Sequence, residues 1–285
     1  MHFPVLLYCN QYTEPSCAAR TIWITCMEVS NMPILKVNNL KKIYISRFGT
    51  NRVQALSNIN FSVEEGEYVA IMGESGSGKT TLLNILAALD RPTEGEVYLG
   101  DRNLFSVRER DIAAFRRENL GFVFQDFNLL DNFNIRDNIF LPLVLAGKNY
   151  SYMEQKLSEI TDKLGITEII DKYPYEISGG QKQRAAVARA LIIDPQLVLA
   201  DEPTGALDSR STDELLDLFS KINRLGQTIL MVTHSVKAAS HSGRVLFIKD
   251  GEIFHQIYRA DSTNEQMYQK ISDTLTLLAT GGDQR

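Results

Sequence analysis

The succession of hydrophobic and polar positions predicts alternating strands and helices from residue 32 onward. Ile59–Val63 alternates between apolar and polar side chains, which is typical of a half-buried strand. Tyr68–Met72 is a continuous apolar run of the kind found in strands that are buried on both faces. A loop at Gly73–Gly78 and a segment of helical composition at Thr80–Leu89 follow this run. Strands that alternate with helices indicate an α/β fold.

Further along the chain, the pattern predicts a helical insertion and then a return to strands. Residues 127–174 are mainly helical in character between two α/β stretches, so we predict an inserted helical subdomain at about residues 127–180. The later predicted elements are two helices, two strands and a hairpin with an Asp-Gly turn: Gly179–Ile193, Thr212–Leu225, Leu197–Ala200, Thr228–Val232, and Val245–Ile248 with Ile253–Tyr258. One domain is therefore expected over residues 32–260. Residues 261–285 form a polar tail with no predicted element, and Gly281 and Gly282 are expected to fray.

The length of 285 residues suits one large α/β domain, or one domain with a subdomain. The formal net charge of −5 argues against nucleic acid as a partner, because surfaces that bind nucleic acid are normally basic. No apolar run approaches the roughly 20 residues of a membrane-spanning helix. The longest run, Ile139–Gly147, contains Pro142 and is predicted to be a partly buried helix. Any role at a membrane is therefore expected to depend on a partner.

Residues 1–31 differ in composition from the rest of the chain. They contain all three cysteines, so the remainder offers no disulfide framework, which suits a reducing compartment. The apolar stretch Phe3–Tyr8 is shorter than the core of a signal peptide, and no lysine or arginine precedes it. We therefore predict that residues 1–31 are an extension that is dispensable for activity and stability. The natural start would then be Met27 or Met32.

The loop after the buried strand matches the pattern G-x-x-x-x-G-K-[ST], and we call it the phosphate loop. Its residues are Gly73, Glu74, Ser75, Gly76, Ser77, Gly78, Lys79 and Thr80. The glycines allow backbone N–H groups to surround an anion, and the positive end of the following helix points at the same place. Lys79 is predicted to place its charge on the β- and γ-phosphates, Thr80 to bind Mg²⁺, and Thr81 to reach another phosphate. The loop predicts a nucleoside triphosphate without separating a GTPase from an ATPase.

Two acids, Asp201 and Glu202, follow the apolar strand Leu197–Ala200. A buried strand delivers such side chains to its carboxyl end, where α/β sheets bind their ligands. Adjacent residues on a strand point to opposite sides, so one acid is expected to face a metal ion and the other an attacking water. We assign Asp201 to Mg²⁺ and Glu202 to the general base. Without the phosphate loop upstream, an exposed acid pair would explain the pattern equally well.

A second candidate anion site precedes the alanine-rich helix, and we call it the signature segment. Its residues are Ser178, Gly179, Gly180 and Gln181. Serine and glycine at the amino end of a helix favour anion binding. Because the phosphate loop already holds the phosphates of one nucleotide, we predict that the signature segment binds the nucleotide of another subunit.

The order of these motifs resembles that of the ATP-binding subunits of ABC transporters over about Ile34 to Tyr258. The matching positions are the phosphate loop, Gln125 in Phe122-Val123-Phe124-Gln125, the signature segment, Asp201-Glu202, Asp208 after Ala206-Leu207, His234 after Val232-Thr233, and Tyr44. The resemblance implies the P-loop NTPase (ABC ATPase) fold with an inserted helical subdomain and an antiparallel β subdomain. It also implies ATP and Mg²⁺ as ligands.

The resemblance further implies a head-to-tail dimer of two copies of the chain with two ATP molecules between them. Each ATP would contact Lys79 of one copy and the signature segment, through Ser178 and Gly180, of the other. Asp208 would link the two sites. The dimer would act on a transmembrane permease at the cytoplasmic face of the membrane.

Individual roles also follow from the resemblance. Gln125 would contact Mg²⁺ or the attacking water and sense the membrane partner. His234 would hold the γ-phosphate and orient Glu202. Tyr44 would stack on adenine, although a plain strand residue is the other interpretation of this tyrosine.

Two stretches resemble one branch of the family in particular. Asp126–Asp131 and Ser242–Gly251 are most similar to the bacitracin and antimicrobial-peptide resistance transporters. This branch implies a separate permease with a large extracellular domain and a sensor kinase that acts through it. The alternative is a lipoprotein-release or macrolide-type efflux ATPase, because those proteins share the wider pattern.

Two other classes of protein fit less well. A soluble ABC ATPase of DNA repair would need a long coiled coil between Thr80 and Ser178, and no sustained heptads occur there. Translation factors of this kind carry two such domains, and this chain has one. A sensing module without turnover is disfavoured because Glu202 and His234 are both present.

Overall fold

The computed structural model describes residues 33–45 and 52–280. The predicted extension at residues 1–31 and the fraying predicted at Gly281 and Gly282 lie outside the described residues.

Strands and helices alternate through most of the described chain. The strands are β1 Leu35–Ile45, β2 Arg52–Val63, β3 Tyr68–Met72, β4 Glu94–Leu99, β5 Arg102–Asn103, β6 Leu120–Val123, β7 Leu197–Asp201, β8 Ile229–Val232, β9 Arg244–Lys249 and β10 Glu252–Tyr258. The helices are α1 Lys79–Leu86, α2 Glu109–Asn119, α3 Ile135–Leu145, α4 Tyr150–Leu164, α5 Gly179–Leu191, α6 Ser209–Arg224, α7 Val236–Ala239 and α8 Asn264–Thr280. Short 3₁₀ turns lie at Leu104–Ser106, Thr167–Ile169 and Pro174–Glu176.

The larger sheet has the order β10-β9-β3-β8-β7-β6, and all its neighbouring pairs are parallel except β9 with β10. All five residues of β3 are buried, as its continuous apolar run predicts. Ile71 of β3 pairs with Val232 of β8, and Val232 pairs with Asp201 of β7. Because these pairs are in register, the three strands end at the same edge of the sheet. The segments that follow them are therefore brought together in space.

The smaller sheet is antiparallel, with the order β2-β1-β4-β5. Its apolar face packs with α1 and with one face of the larger sheet in a single buried cluster that includes Leu35, Ile59, Leu83 and Val97. The mixed fold with an antiparallel β subdomain is the one predicted. The Asp-Gly hairpin turn is also confirmed, because Asp250 and Gly251 between β9 and β10 both have positive φ angles.

Helices α3 and α4 lie in the segment where the sequence predicts helices, between β6 and α5. Pro142 lies inside α3, which is nevertheless continuous over Ile135–Leu145. The buried residues of α3 and α4 join the cluster that also contains one face of α5. The signature segment, which begins α5, therefore rests on this helical block.

The prediction for the region after Ala260 was incomplete, because α8 occupies Asn264–Thr280. Met267 and Ile271 are completely buried, and α8 packs against α7. Among the α8 side chains that the structure describes, up to residue 277, the apolar face consists of Met267, Ile271 and the partly buried Leu275, spaced four residues apart. Because the apolar residues are so few, the sequence of this segment resembles that of a polar tail.

The burial of Ile271 yields the first prediction. Ile271→Ala should lower the free energy of unfolding by about 2–5 kcal/mol, because it removes a fully buried side chain and leaves a cavity. Urea denaturation of the full chain measures this quantity. The matched control is Tyr268→Ala, on the exposed side of the same helix, which should change stability by less than about 0.5 kcal/mol. Equal effects of the two substitutions would contradict the packing of α8.

Candidate active site

The phosphate loop connects the end of β3 to the start of α1. Gly78 caps α1 with a φ of 103°, a left-handed backbone that favours glycine. An added Cβ on Gly73 would lie 2.2 Å from the carbonyl oxygen of Ile248, so this position has no room for a side chain. The Nζ of Lys79 donates hydrogen bonds to the carbonyl oxygens of Gly73 at 2.8 Å and Glu74 at 2.7 Å. The loop is therefore folded around its own lysine.

Half of the phosphate loop is open to solvent. Glu74, Ser75, Gly76 and Thr80 are exposed, and Gly76 has a φ of 80°. Ser77 is buried instead, and its Oγ has no hydrogen-bond partner within the described part of the chain. An exposed loop at the amino end of a helix presents N–H groups without intrahelical partners, and these groups favour an anion.

A cavity of about 380 Å³ opens beside the phosphate loop. Its lining comes from the loop, from β2 and from the segments after β7 and β8: Val53, Gln54, Ala55, Ser75, Gly76, Gly78, Lys79, Thr80, Thr81, Glu202 and His234. The β2 wall was not predicted, because no motif marks it. It lies so close to the loop that a Cβ on Gly78 would be 2.5 Å from the carbonyl oxygen of Ala55.

Glu202, which lines this cavity, is held by hydrogen bonds from the segment after β8. Its Oε1 lies 2.8 Å from Nδ1 of His234, and its Oε2 accepts from Oγ1 of Thr233 at 3.1 Å and from the backbone N–H of His234 at 3.2 Å. Only 15% of the Glu202 side chain is exposed, against 73% of His234. These contacts fix the orientation of the Glu202 carboxylate. Its Oε1 faces the imidazole of His234.

The direction of Glu202 does not come from strand alternation, as the sequence pattern had suggested. β7 ends at Asp201, and Glu202 itself has a φ of +43°. A non-glycine residue in the left-handed region is uncommon and carries strain that the surrounding structure must offset. The backbone turn, together with the contacts of His234 and Thr233, determines where this carboxylate points.

Charges of opposite sign meet between β7 and the phosphate loop. Burial and the neighbouring Glu202 carboxylate raise the pKa of Asp201, and Lys79 opposes the shift. Burial lowers the pKa of Lys79, and the same two carboxylates oppose that shift. The negative charges at this edge are thus only partly balanced by Lys79. Such a place favours an added cation.

The signature segment caps α5. The Oγ of Ser178 accepts from the backbone N–H of Gln181 at 3.3 Å, and Oε1 of Gln181 accepts from the N–H of Ser178 at 3.0 Å. This reciprocal capping box fixes the start of the helix. Gly179 and Gly180 follow the cap as the first two residues of α5.

The signature segment adjoins Asp208 and not the phosphate loop. A Cβ on Gly180 would lie 2.8 Å from Oγ of Ser211, and Asp208 accepts hydrogen bonds from the N–H and the Oγ of Ser211, both at 2.9 Å. None of the four signature residues lines the cavity at the phosphate loop. Within one chain, the two predicted anion sites are therefore separate.

Gln125 and Tyr44 lie outside the cavity lining. The amide of Gln125 packs on Gly205, where an added Cβ would be 3.0 Å from Cδ and Nε2. Tyr44 is 41% exposed; its hydroxyl donates to Oδ2 of Asp90 at 2.8 Å, and Nζ of Lys42 lies 4.7 Å from the centre of its ring. The stacking role of Tyr44 stays a prediction.

The site combines three features: a lysine in a phosphate loop, an acid pair at the end of a buried strand of the same sheet, and a histidine beside the second acid. Together they define a P-loop nucleoside triphosphatase. The sequence model described as ABC transporter matches residues 56–205. This chain belongs to the ABC transporter family, as an ATP-binding and ATP-hydrolysing subunit.

Several relatives and solved structures are similar to the chain. It is 51% identical to the uncharacterized ABC transporter ATP-binding protein YvcR of Bacillus subtilis, over 88% of this chain and 96% of that protein. It is 44% identical to the bacitracin export ATP-binding protein BceA of Halalkalibacterium halodurans, over 87% and 97%. A dimeric post-hydrolysis structure of the ATP-binding cassette MJ0796, bound to ADP and Pi, superposes with a TM-score of 0.71 at 37% identity, over 79% and 98%. None of the helices in the described ranges is long and apolar enough to cross a membrane.

The electrostatics of Asp201 yield the second prediction. Its folded pKa lies above the unfolded value, so its ionised form opposes folding at neutral pH and this penalty disappears as the pH falls. Asp201→Asn should therefore raise the melting temperature of the nucleotide-free chain by a few degrees at neutral pH. The difference should shrink as the pH is lowered through the raised pKa of Asp201.

Thermal melting across a pH series measures this effect, with Asp261→Asn, at an exposed aspartate, as the control. On the predicted assignment of Asp201 to Mg²⁺, the same variant should lose ATP hydrolysis, because an amide is a weaker ligand for a cation than a carboxylate. A lowered melting temperature at neutral pH would contradict this account of the charge balance.

Proposed function

We propose that the chain energises a separate membrane permease by hydrolysing Mg²⁺-bound ATP, for resistance to or export of antimicrobial peptides of the bacitracin type. The observation that carries the enzymatic part is the position of Glu202. Its carboxylate faces the cavity that Lys79 also lines, and it is fixed by His234 and Thr233. The similarity to BceA, which extends over nearly the full length of both chains, supports the peptide-resistance part.

In the proposed site, the phosphate loop binds the triphosphate. Its exposed N–H groups surround the phosphates, and the ammonium of Lys79 exchanges its carbonyl partners for phosphate oxygens. Thr81 contacts a further phosphate. Tyr44 stacks on adenine, and the hydrogen bond from its hydroxyl to Asp90 restrains its ring.

The residues at the end of β7 suit Mg²⁺. The hydroxyl of Thr80, the carboxylate of Asp201 and the amide oxygen of Gln125 are oxygen donors of the kind that this hard cation prefers. The raised pKa of Asp201 supports the assignment, because a carboxylate that is buried beside a like-charged neighbour is stabilised by an added cation. When bound, the ion supplies charge neutralisation at the phosphates.

Hydrolysis then proceeds with Glu202 as the general base. Glu202 accepts a proton from the attacking water while the water oxygen bonds to the γ-phosphorus and the bond to the β-phosphate oxygen breaks, which leaves ADP and phosphate. His234 holds the Glu202 carboxylate through its Nδ1 and stays close to the γ-phosphate. Lys79 stabilises the charge on the phosphoryl oxygens.

A second copy of the chain completes each site in this proposal. Ser178 and Gly180 lie at the exposed amino end of α5 and not in the cavity of their own chain, so they are free to face the nucleotide of a partner. Asp208, which shares Ser211 with Gly180, links the two sites. The dimeric MJ0796 structure supports a dimer of this kind.

The remaining parts of the proposal concern partners and location. The chain is placed at the cytoplasmic face of the membrane, bound to a permease with a large extracellular domain. A sensor kinase acts through that permease. Gln125, which packs on Gly205 close to the segment carrying Glu202, transmits the state of the permease to the site. The net charge of −5 supports the absence of nucleic acid among the partners.

The third prediction tests the general base. Glu202→Gln should bind ATP with unchanged affinity, lose steady-state hydrolysis by at least about 1,000-fold and accumulate as an ATP-dependent dimer, because the amide cannot accept the proton of water. Nucleotide titration, phosphate release and size-exclusion chromatography measure the three quantities. Lys79→Ala is the control, since it should weaken nucleotide affinity itself. Wild-type turnover in Glu202→Gln would refute the assigned base.

The biological part of the proposal is tested in the source organism. A strain without the chain should become sensitive to bacitracin, and a wild-type copy should restore resistance where a Glu202→Gln copy does not. Unchanged sensitivity, with impaired lipoprotein release or macrolide efflux instead, would favour the alternative branch.

A further inference from the structure

Gln183 is a polar residue on the buried face of α5. It lies in α5 on the same side as Ala186, Val187 and Ala190, and its exposed surface is 0%. Glutamine is rarely buried to this extent, because each of its polar atoms needs a partner once water is removed. Sequence patterns alone did not single out this position.

The amide of Gln183 joins two segments of the active site. Its Nε2 donates hydrogen bonds to the carbonyl oxygen of Pro203 at 2.7 Å and to that of Phe124 at 3.2 Å. Pro203 directly follows Glu202, and Phe124 directly precedes Gln125. Both protons of a single buried amide therefore hold the backbone next to the two residues proposed to act on water and Mg²⁺.

The amide oxygen of Gln183 is not stabilised by a hydrogen bond in this arrangement. Oε1 of Gln183 is buried and has no hydrogen-bond partner within the described ranges. An unpaired buried oxygen is costly, and a methionine of similar length would fill the space without that cost. The advantage of glutamine at this position lies in its two donated hydrogen bonds. They fix the spacing between the segment of Phe124 and the segment of Pro203.

This spacing matters because the backbone of Glu202 is strained. Glu202 has a φ of +43°, and its N–H and C=O bond to Val232 and Gly205, both at 2.9 Å. Gly205 in turn contacts the side chain of Gln125. The carbonyl of Pro203 lies inside this turn, so the donor on Gln183 restrains the turn from the side of α5.

We infer that Gln183 is a positioning residue for ATP hydrolysis. It ties the segment of Gln125 and the turn after Glu202 to the helix that begins with the signature segment. The three parts of the site then move as one unit when α5 moves. This inference rests on the role proposed for Glu202, and Gln183 itself contacts neither nucleotide nor water.

The fourth prediction follows from this geometry. Gln183→Met keeps the length and the burial of the side chain but removes both donors. The kcat of the full-length chain should fall by about 10- to 100-fold, the scale expected when a catalytic group is displaced by about 1 Å. The KM and the dissociation constant for ATP should stay within about twofold of wild type, because the phosphate loop is untouched. Phosphate release and nucleotide titration measure these quantities.

Asn223→Leu is the matched control. The Nδ2 of Asn223 also donates to two carbonyl oxygens, those of Gly66 at 2.8 Å and Gln227 at 2.9 Å, but at the opposite edge of the larger sheet. This variant should lose thermal stability and retain wild-type kcat. If Gln183→Met does not bind ATP normally, Gln183→Asn provides the second test, because its shorter stem withdraws the donors and retains the amide. It should show the same selective loss of kcat.

Wild-type kcat in either Gln183 variant that binds ATP normally would overturn the inference. A parallel loss of kcat in Asn223→Leu would overturn it as well, since general destabilisation would then explain both effects. The experiments distinguish a wrong role for Gln183 from a wrong assignment of Glu202. Turnover by Glu202→Gln would refute the assigned base, whereas an inactive Glu202→Gln with a fully active Gln183→Met would refute only the role of Gln183.

Discussion

The register of three buried parallel strands places opposite charges at one edge of the larger sheet. β3, β8 and β7 pair so that Ile71, Val232 and Asp201 lie side by side. Lys79 follows the first strand and the acid pair ends the third, so a half-buried ammonium is attracted by two carboxylates. Burial penalises the charges of Lys79 and Asp201, so it lowers the pKa of Lys79 and raises the pKa of Asp201. In the proposed mechanism, a bound Mg²⁺ would add positive charge beside the two carboxylates and the phosphates.

The same fold keeps apart the two segments that are proposed to bind phosphate. The phosphate loop opens into a cavity with Glu202 and His234, while the signature segment caps α5 beside Asp208 and contributes nothing to that cavity. A helix amino end whose N–H groups have no partners is stabilised by an anion. In the proposed dimer, this anion is the nucleotide that the second copy of the chain binds. In the proposed mechanism, a nucleotide site is complete only when two copies of the chain face each other.

The sequence allowed prediction of those parts of the candidate site that consist of consecutive residues. The phosphate loop, the acid pair and the signature segment each lie at a boundary between a strand or loop and a helix, so local pattern locates them. Residues brought together by pairing of distant strands gave no such signal, and the wall formed by Val53, Gln54 and Ala55 was missed. The left-handed backbone of Glu202 was also missed, because apolar periodicity does not report a single dihedral angle. Helix α8 was missed because its buried stripe is only one residue wide per turn.

In the proposed dimer, one nucleotide site needs Lys79 of one chain and Ser178 of another. Two variants, Lys79→Ala and Ser178→Arg, should each be inactive in ATP hydrolysis as homodimers. When they are mixed, every heterodimer has one site that lacks both residues and one site that is intact. Phosphate release by an equal mixture should therefore reach about a quarter of the wild-type rate if the sites act independently. A mixture that stays as inactive as its components would contradict a site shared between two chains.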